Sequence, residues 1–312
     1  MATIGLMIEG QEDLTWERFF QLAQAAEDLG FESLFRSDHL TALEGFPARR
    51  SLDLWTSLTA LALRTRRLRF GPLVCSLTFD HPALIAKKAA ALAELSGGRF
   101  ELGLGAGWYK GEHRMFGLPY PPYTERLERL DEGARVIKML WAGRPADFTG
   151  RHYALAQAET HPSAAGLPLI MGGKNEQRTL RIIAEHADEW NCTYIGVDGF
   201  ARKSAVLDEH CRTLGRQPGS LRRSLMLPFV IGRDAAEVQA RIDAQRAMFP
   251  SLPADLAGWR AAGYVGGAPA EVLAQLKAYE AAGAARVLVQ HNSLDDLASL
   301  ELLAGAVLPH FA

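Results

Sequence analysis

The sequence predicts an α/β fold of the (β/α)8 TIM-barrel class with loop insertions. Short apolar segments alternate with amphipathic ones along the whole chain, and eight such units fit within 312 residues. Alternation of this kind predicts a parallel sheet flanked by helices. Eight repeats in this length favour a closed barrel, with an open doubly wound sheet as the alternative. No linker, low-complexity segment or internal repeat breaks the pattern, so the chain is read as a single domain, 1–312.

The first strand is Ile4–Ile8. Trp16, Phe19, Ala23, Ala26 and Leu29 then recur at helical spacing, and Gly30 closes that helix. Ser33–Arg36 is the second strand, Asp53–Leu63 a helix and Leu68–Val74 the third strand. Pro82–Leu95 is helical, with Pro82 suited to a first turn. Phe100–Gly105 alternates with period two as a fourth strand. The stripe Leu127, Leu130, Ala134, Ile137 and Trp141 marks the next helix. Strands at Pro168–Met171, Glu189–Tyr194, Ser224–Ile231 and Arg286–Gln290 complete the set. They are interleaved with helices at Asn175–His186, Phe200–Leu214, Ala235–Ala247, Glu271–Ala281 and Asp295–Leu308. Thr41–Leu52, Trp108–Tyr123 and Gly143–Leu167 are too long for plain connections, and long loops in compact domains are usually functional or mobile.

Composition narrows the function. A net charge of −2 gives no broad attraction to nucleic acid. Cys75, Cys192 and Cys211 are odd in number and contain no CxxC, which argues against a disulfide framework or a zinc site. Met1–Gly5 lacks a basic region followed by an apolar run, and no apolar stretch reaches spanning length, so the expectation is a cytoplasmic protein without membrane contact. HExxH, GxSxG and GxxxxGK[ST] are absent, and the nine histidines show no metal-ligand spacing.

In such a barrel, chemistry sits at the C-terminal ends of the strands. Asp38 and His39 follow strand two, and a carboxylate beside an imidazole can orient the ring and move a proton near neutral pH. They equally suit a loop cap and an ordinary surface histidine. Gly71 and Pro72 suggest a bend before Leu73, Val74 and Cys75, the last read as a packed thiol. Gly103, Gly105 and Gly107 alternate before Trp108. They leave one face bare, either for a flat ligand or for tight barrel packing, and Trp108 breaks the GxGxxG spacing. Gly172, Gly173, Lys174 and Asn175 precede a helix, where exposed N–H groups and the helix dipole suit an anion; Asn175 as a plain cap is the competing reading.

Taken together, these segments resemble the luciferase-like monooxygenase superfamily. The resemblance runs over nearly the whole chain and is strongest in Ala25–His39, His81–Arg99, Gly103–Trp108, Gly172–Leu180 and Ala187–Asn191. Within the superfamily, the chain looks most like the coenzyme F420-dependent oxidoreductases. The resemblance implies a (β/α)8 barrel with insertions, often dimeric, and so a homodimer. It places Asp38 and His39 against a deazaflavin ring and its substrate, with His39 moving the proton and Trp108 at the same face. It puts Leu73 and Val74 at a cis-peptide bulge behind the ring, with Cys75 beside them. Ala106, Gly107 and Trp108 would form a wall, Gly172–Asn175 the phosphate end, and Trp190 and Asn191 a segment near the pocket. Trp108 stands where the family's sugar-phosphate dehydrogenases carry an acid, which argues against sugar-phosphate oxidation.

The expected function is hydride transfer between coenzyme F420 and a small organic substrate, with the cofactor supplying the redox step. The alternatives are an FMN-dependent monooxygenase served by a flavin reductase, a non-catalytic flavin-binding protein, and a phosphate-binding aldolase or isomerase barrel. The last would need a strand-end lysine or glutamate base, for which no clear candidate stands out.

Overall fold

The computed structural model describes residues 1–43 and 49–311, so part of the expected Thr41–Leu52 connection lies outside the described residues. The strands are β1 (Thr3–Ile8), β2 (Ser33–Arg36), β3 (Arg69–Pro72), β4 (Cys75–Ser76), β5 (Leu102–Gly105), β6 (Ala146–Thr149), β7 (Ala154–Ala158), β8 (Leu169–Gly172), β9 (Glu189–Thr193), β10 (Arg222–Ile231), β11 (Val265–Gly267) and β12 (Arg286–Gln290). All eight expected barrel strands are among them.

The main sheet runs β3-β2-β1-β12-β10-β9-β8-β5-β4 with parallel pairing throughout. Its two ends are successive pieces of one chain segment, so the path curls into a barrel, and a parallel bridge between Phe70 and Phe100 joins the ends. The expected single strand Leu68–Val74 is therefore interrupted. The Leu73–Val74 peptide is cis, and pairing passes from the β2 side to the β5 side across it. The antiparallel hairpin β6–β7 and the short strand β11 beside β10 were not expected. The hairpin lies inside the Gly143–Leu167 insertion.

Helices pack outside, several of them opened by a side-chain cap. Thr15 Oγ1 accepts from Arg18 N at 3.2 Å to open the helix Trp16–Asp28, and Gly30 leaves it at φ +84°. Asp53, Asp234 and Asp296 cap later helices in the same way. Among the described residues, no helix is long and apolar enough to cross a membrane.

Inside the barrel, side chains stack in tiers because every second residue of a strand points inward. The floor is ionic. Arg286, fully buried, donates to Glu101 at 2.7 and 3.1 Å and to Glu32 at 3.1 Å. Above it, Met7, Phe35, Leu73, Ile170, Met226 and Leu288 form a separate apolar layer. The polar residues that line the mouth come next.

Candidate active site

A cavity of about 540 Å³ opens at the C-terminal ends of the barrel strands. That volume suits a cofactor or small ligand, since such sites typically run about 300–1,000 Å³. The structure brings twelve of the expected site residues onto it: Asp38, His39, Leu73, Val74, Ala106, Gly107, Trp108, Gly172, Gly173, Lys174, Asn175 and Asn191. Two do not reach it. Cys75 is buried behind the bulge as a packed thiol, and burial raises its pKa well above the ordinary thiol value. Trp190 is turned away, stacked on Phe200 at 5.5 Å with its indole N–H on Gly173 O at 2.7 Å. It braces the strand end from behind.

The alternating glycines have a different use from the one a flat ligand would make of them. A Cβ on Gly105 would sit 2.5 Å from Val74 Cγ2, and one on Gly103 would be 3.1 Å from Val74 Cγ1. A Cβ on Gly172 would stand 3.5 Å from the same side chain, an ordinary contact. The missing side chains of β5 thus let the Pro72 carbonyl, which a Cβ on Gly103 would strike, and the Val74 side chain pack closely, and Val74 forms the apolar back wall of the cavity. Tight packing, the competing reading, accounts for the motif.

His39 is the best-defined polar group at the mouth. Its Nδ1 lies 3.0 and 3.2 Å from the two carboxylate oxygens of Glu112, which also accepts from Leu40 N at 3.0 Å. Glu112 is buried at 1% exposure, so this contact has little solvent to screen it. Burial alone would lower the His39 pKa. The Glu112 hydrogen bond and charge, helped by Glu9 and Asp38, outweigh it and raise His39 above the ordinary histidine value. Trp108 meets the imidazole edge-on at 5.6 Å and is 62% exposed, a lip on the cavity. Burial lifts the Asp38 carboxyl above the usual range, partly opposed by the Ser76 N–H, which donates to Oδ2 at 3.0 Å, and by the Arg36 charge.

Glu9, also on the cavity, accepts from Gln11 Nε2 at 2.8 Å and from Gln290 Nε2 at 2.5 Å. Opposite lies the turn after β8. The helix expected from Asn175 begins only at Thr179. Asn175 instead caps a preceding turn, its Oδ1 accepting from Arg178 N at 3.0 Å, and Gly173 N donates to Asn191 O at 3.3 Å. Both polar groups are therefore committed within the protein. Among the described residues, no protein acceptor takes the backbone N–H groups of Lys174, Asn175, Glu176 or Gln177.

Sequence reasoning missed Glu112, Glu9, Ser76, Tyr123 and Thr179, all of which line the cavity. Glu112 had only a coarse signal: it falls within Trp108–Tyr123, an insertion already suspected of function, and the helix that carries it, Lys110–Met115, was not expected.

A family model for luciferase-like monooxygenases matches residues 2–298, and the chain belongs to that family. Over 238 residues it is 28% identical to an F420-dependent hydroxymycolic acid dehydrogenase of Mycobacterium tuberculosis, covering 76% of this chain and 65% of that protein. Over 214 residues it is 32% identical to the pyrimidine monooxygenase RutA of Pseudomonas syringae, covering 65% of this chain and 58% of that one. The match thus spans less than two thirds of either relative. The fold is similar to that of a coenzyme F420-dependent tetrahydromethanopterin reductase from Methanopyrus kandleri, with a TM-score of 0.82 at 21% identity, covering 100% of this chain and 99% of that one. Of the two sequence relatives, one is named as an F420-dependent dehydrogenase and the other as a monooxygenase.

Proposed function

We propose that this chain binds coenzyme F420 in the barrel-mouth cavity and transfers a hydride between it and a small organic substrate. The observation that carries the reading is the His39–Glu112 pair, a buried carboxylate holding an imidazole ready to give a proton at the edge of an apolar-walled cavity. The residues present fit a tricyclic ring cofactor with an anionic tail. Val74, Leu73 and Ala106 offer an apolar surface for the ring, and Lys174 with the N–H groups that follow offers the tail a cationic turn. When bound, the deazaflavin supplies a two-electron hydride step.

The chain's own part is placement and proton control. Val74 and Leu73 back the ring, Trp108, Leu127 and Leu130 shed water from the mouth, and His39 holds the proton that accompanies the hydride. The raised proton affinity makes His39 hold its proton more firmly than an ordinary histidine, and that supports a donor role in the reduction of an unsaturated carbonyl-type substrate. The apolar lining suits an uncharged substrate and agrees with the absence of an acid at position 108.

The second reading is an FMN monooxygenase supplied by a flavin reductase. It is favoured by the similarity to RutA, and the same walls would accept FMN. Fluorescence titration with both cofactors separates the two. Tighter binding of F420 is expected, and a clear preference for FMN overturns the hydride-transfer proposal. As an F420 enzyme the protein would act on its small-molecule substrate without a protein partner beyond a second copy of itself.

A further inference from the structure

Behind the cavity runs a chain of three side chains that the proposed chemistry leaves unused. Ser76, at the end of β4, lines the cavity. Its Oγ lies 2.7 Å from Thr78 Oγ1, which lies 2.7 Å from His113 Nε2, and His113 Nδ1 is 2.8 Å from the carbonyl oxygen of Tyr109. His113 is fully buried, held between Phe79 at 5.0 Å and Tyr120 at 4.9 Å between ring centres. Gly107, at φ +71°, passes over the two hydroxyls, and a Cβ there would come within 2.7 Å of Ser76 Oγ. The Ser76 backbone is tied by its N–H to Asp38. The hydroxyls are thus fixed in place from both sides.

The direction of each hydrogen bond follows from what each group can do. A carbonyl oxygen only accepts, so Tyr109 O fixes a proton on His113 Nδ1. In the neutral form of His113 that leaves no second ring proton, so Nε2 accepts, and Thr78 donates its hydroxyl proton to it. Thr78 Oγ1 then has only lone pairs for Ser76, which donates in turn. Ser76 is left without a proton for the cavity.

We infer that Ser76 faces the cavity purely as a hydrogen-bond acceptor, its polarity set through Thr78 by the buried His113, so that it selects an N–H or O–H donor on the bound ligand. This rests on the cavity being the cofactor site as proposed above. Ser76 is the contact residue; Thr78 and His113 are positioning residues that act through it. A ligand presenting only acceptors at this wall would meet lone pairs and be disfavoured.

Two measurements test the inference. The first needs no ligand: two-bond 1H–15N correlation of the imidazoles at pH 8, with His113 assigned by the loss of its signals in His113→Gln. The Nδ1–H tautomer is expected, and an Nε2–H tautomer reverses the chain and overturns the inference. The second is a double-mutant cycle on cofactor binding, read by fluorescence titration with F420 and with FMN. Ser76→Ala removes the acceptor. Thr78→Val frees the Ser76 proton to point into the cavity. Each should weaken binding about three- to tenfold, the range for one lost neutral hydrogen bond. The double variant should be no weaker than the worse single variant, because Thr78 acts only through Ser76. Unchanged binding in Ser76→Ala, or losses that multiply, refutes the inference while leaving the cofactor proposal intact. Failure of the unsubstituted protein to bind either cofactor instead refutes the cofactor proposal, and the tautomer then decides the orientation of the chain.

Discussion

Glu112→Gln isolates the charge that governs His39. The amide keeps the shape of the carboxylate and can still accept from Leu40 N, now 3.0 Å from Oε2, so the helix carrying it has no reason to move. What is lost is the negative partner of His39 Nδ1 at 3.0 Å. A hydrogen bond to a charged group is worth about 1.5–3 kcal/mol, and about 1.4 kcal/mol corresponds to tenfold in an equilibrium constant. The proton affinity of His39 should therefore fall by about ten- to a hundredfold. Burial, which lowers the His39 pKa, would then be opposed only by the weaker influence of Glu9 and Asp38. The titration midpoint should move from above the ordinary histidine value to below it. Because the folded-state pKa is raised, the pair's contribution to stability is fully present below the ordinary histidine pKa and is lost as pH rises through the raised value. The assay is the imidazole NMR titration of His39, identified by comparison with His39→Ala. A midpoint that stays put or rises in Glu112→Gln refutes the claim that this carboxylate controls the ring.

His39→Ala should leave F420 affinity within about twofold while slowing turnover of a true substrate by about 10²–10⁴, the usual cost of removing a general acid; unchanged turnover makes His39 a bystander. At the turn after β8, Gly173→Val should abolish tight binding of the full cofactor, since Gly173 has φ +142° and an added Cβ would collide with Thr179. Lys174→Ala should weaken binding less and flatten its salt dependence, and a fragment lacking the phosphate should ignore the lysine change in calorimetric titration. At the floor, Arg286→Met should destabilise the protein by about 3–5 kcal/mol in urea unfolding, because it strands buried carboxylates. Burial raises Glu101, but Arg286 and Arg69 outweigh it and hold its pKa below the ordinary value. Its stabilising contribution is therefore present above the ordinary carboxylate pKa and lost as pH falls through the lowered one, and Arg286→Met should blunt that acid loss.

The barrel was legible because its strands carry their own signals. Ser33–Arg36 and Arg286–Gln290 form over the residues their apolar runs mark, since a buried parallel strand needs little more than apolar, β-prone side chains between breaks. The hairpin β6–β7 was not legible. Its residues are mostly small and solvent-facing, and its antiparallel register contains an irregularity between Ala146 and Phe148. The site divides along similar lines. Asp38, His39 and the glycine segments stand at strand ends, which one sequence can locate. Glu112 and Ser76 reach the cavity through a helix in an insertion and through a displaced strand, positions that only the folded chain defines. Trp190 was adjacent to the site in sequence but lies on the outward register of β9, one residue out of phase with Asn191. The helix after β8 was placed too early because Asn175 has the chemistry of a cap and uses it on a turn instead.

The helix Lys110–Met115 is six residues long, too short to hold its form in water without tertiary support. Two neighbouring side chains on it reach in different directions: Glu112 to the imidazole of His39, and His113 to the hydroxyl of Thr78. Displacing this one turn would release both at once, withdrawing the anion behind the proton donor and unlocking the hydroxyl of Ser76. By linkage, any ligand that bonds to either His39 or Ser76 in these orientations also stabilises the helix, and so favours the other contact. The two walls, already tied where the Ser76 N–H donates to Asp38 beside His39, are in this way coupled a second time through a single helical turn, and ligand groups that satisfy both should bind cooperatively.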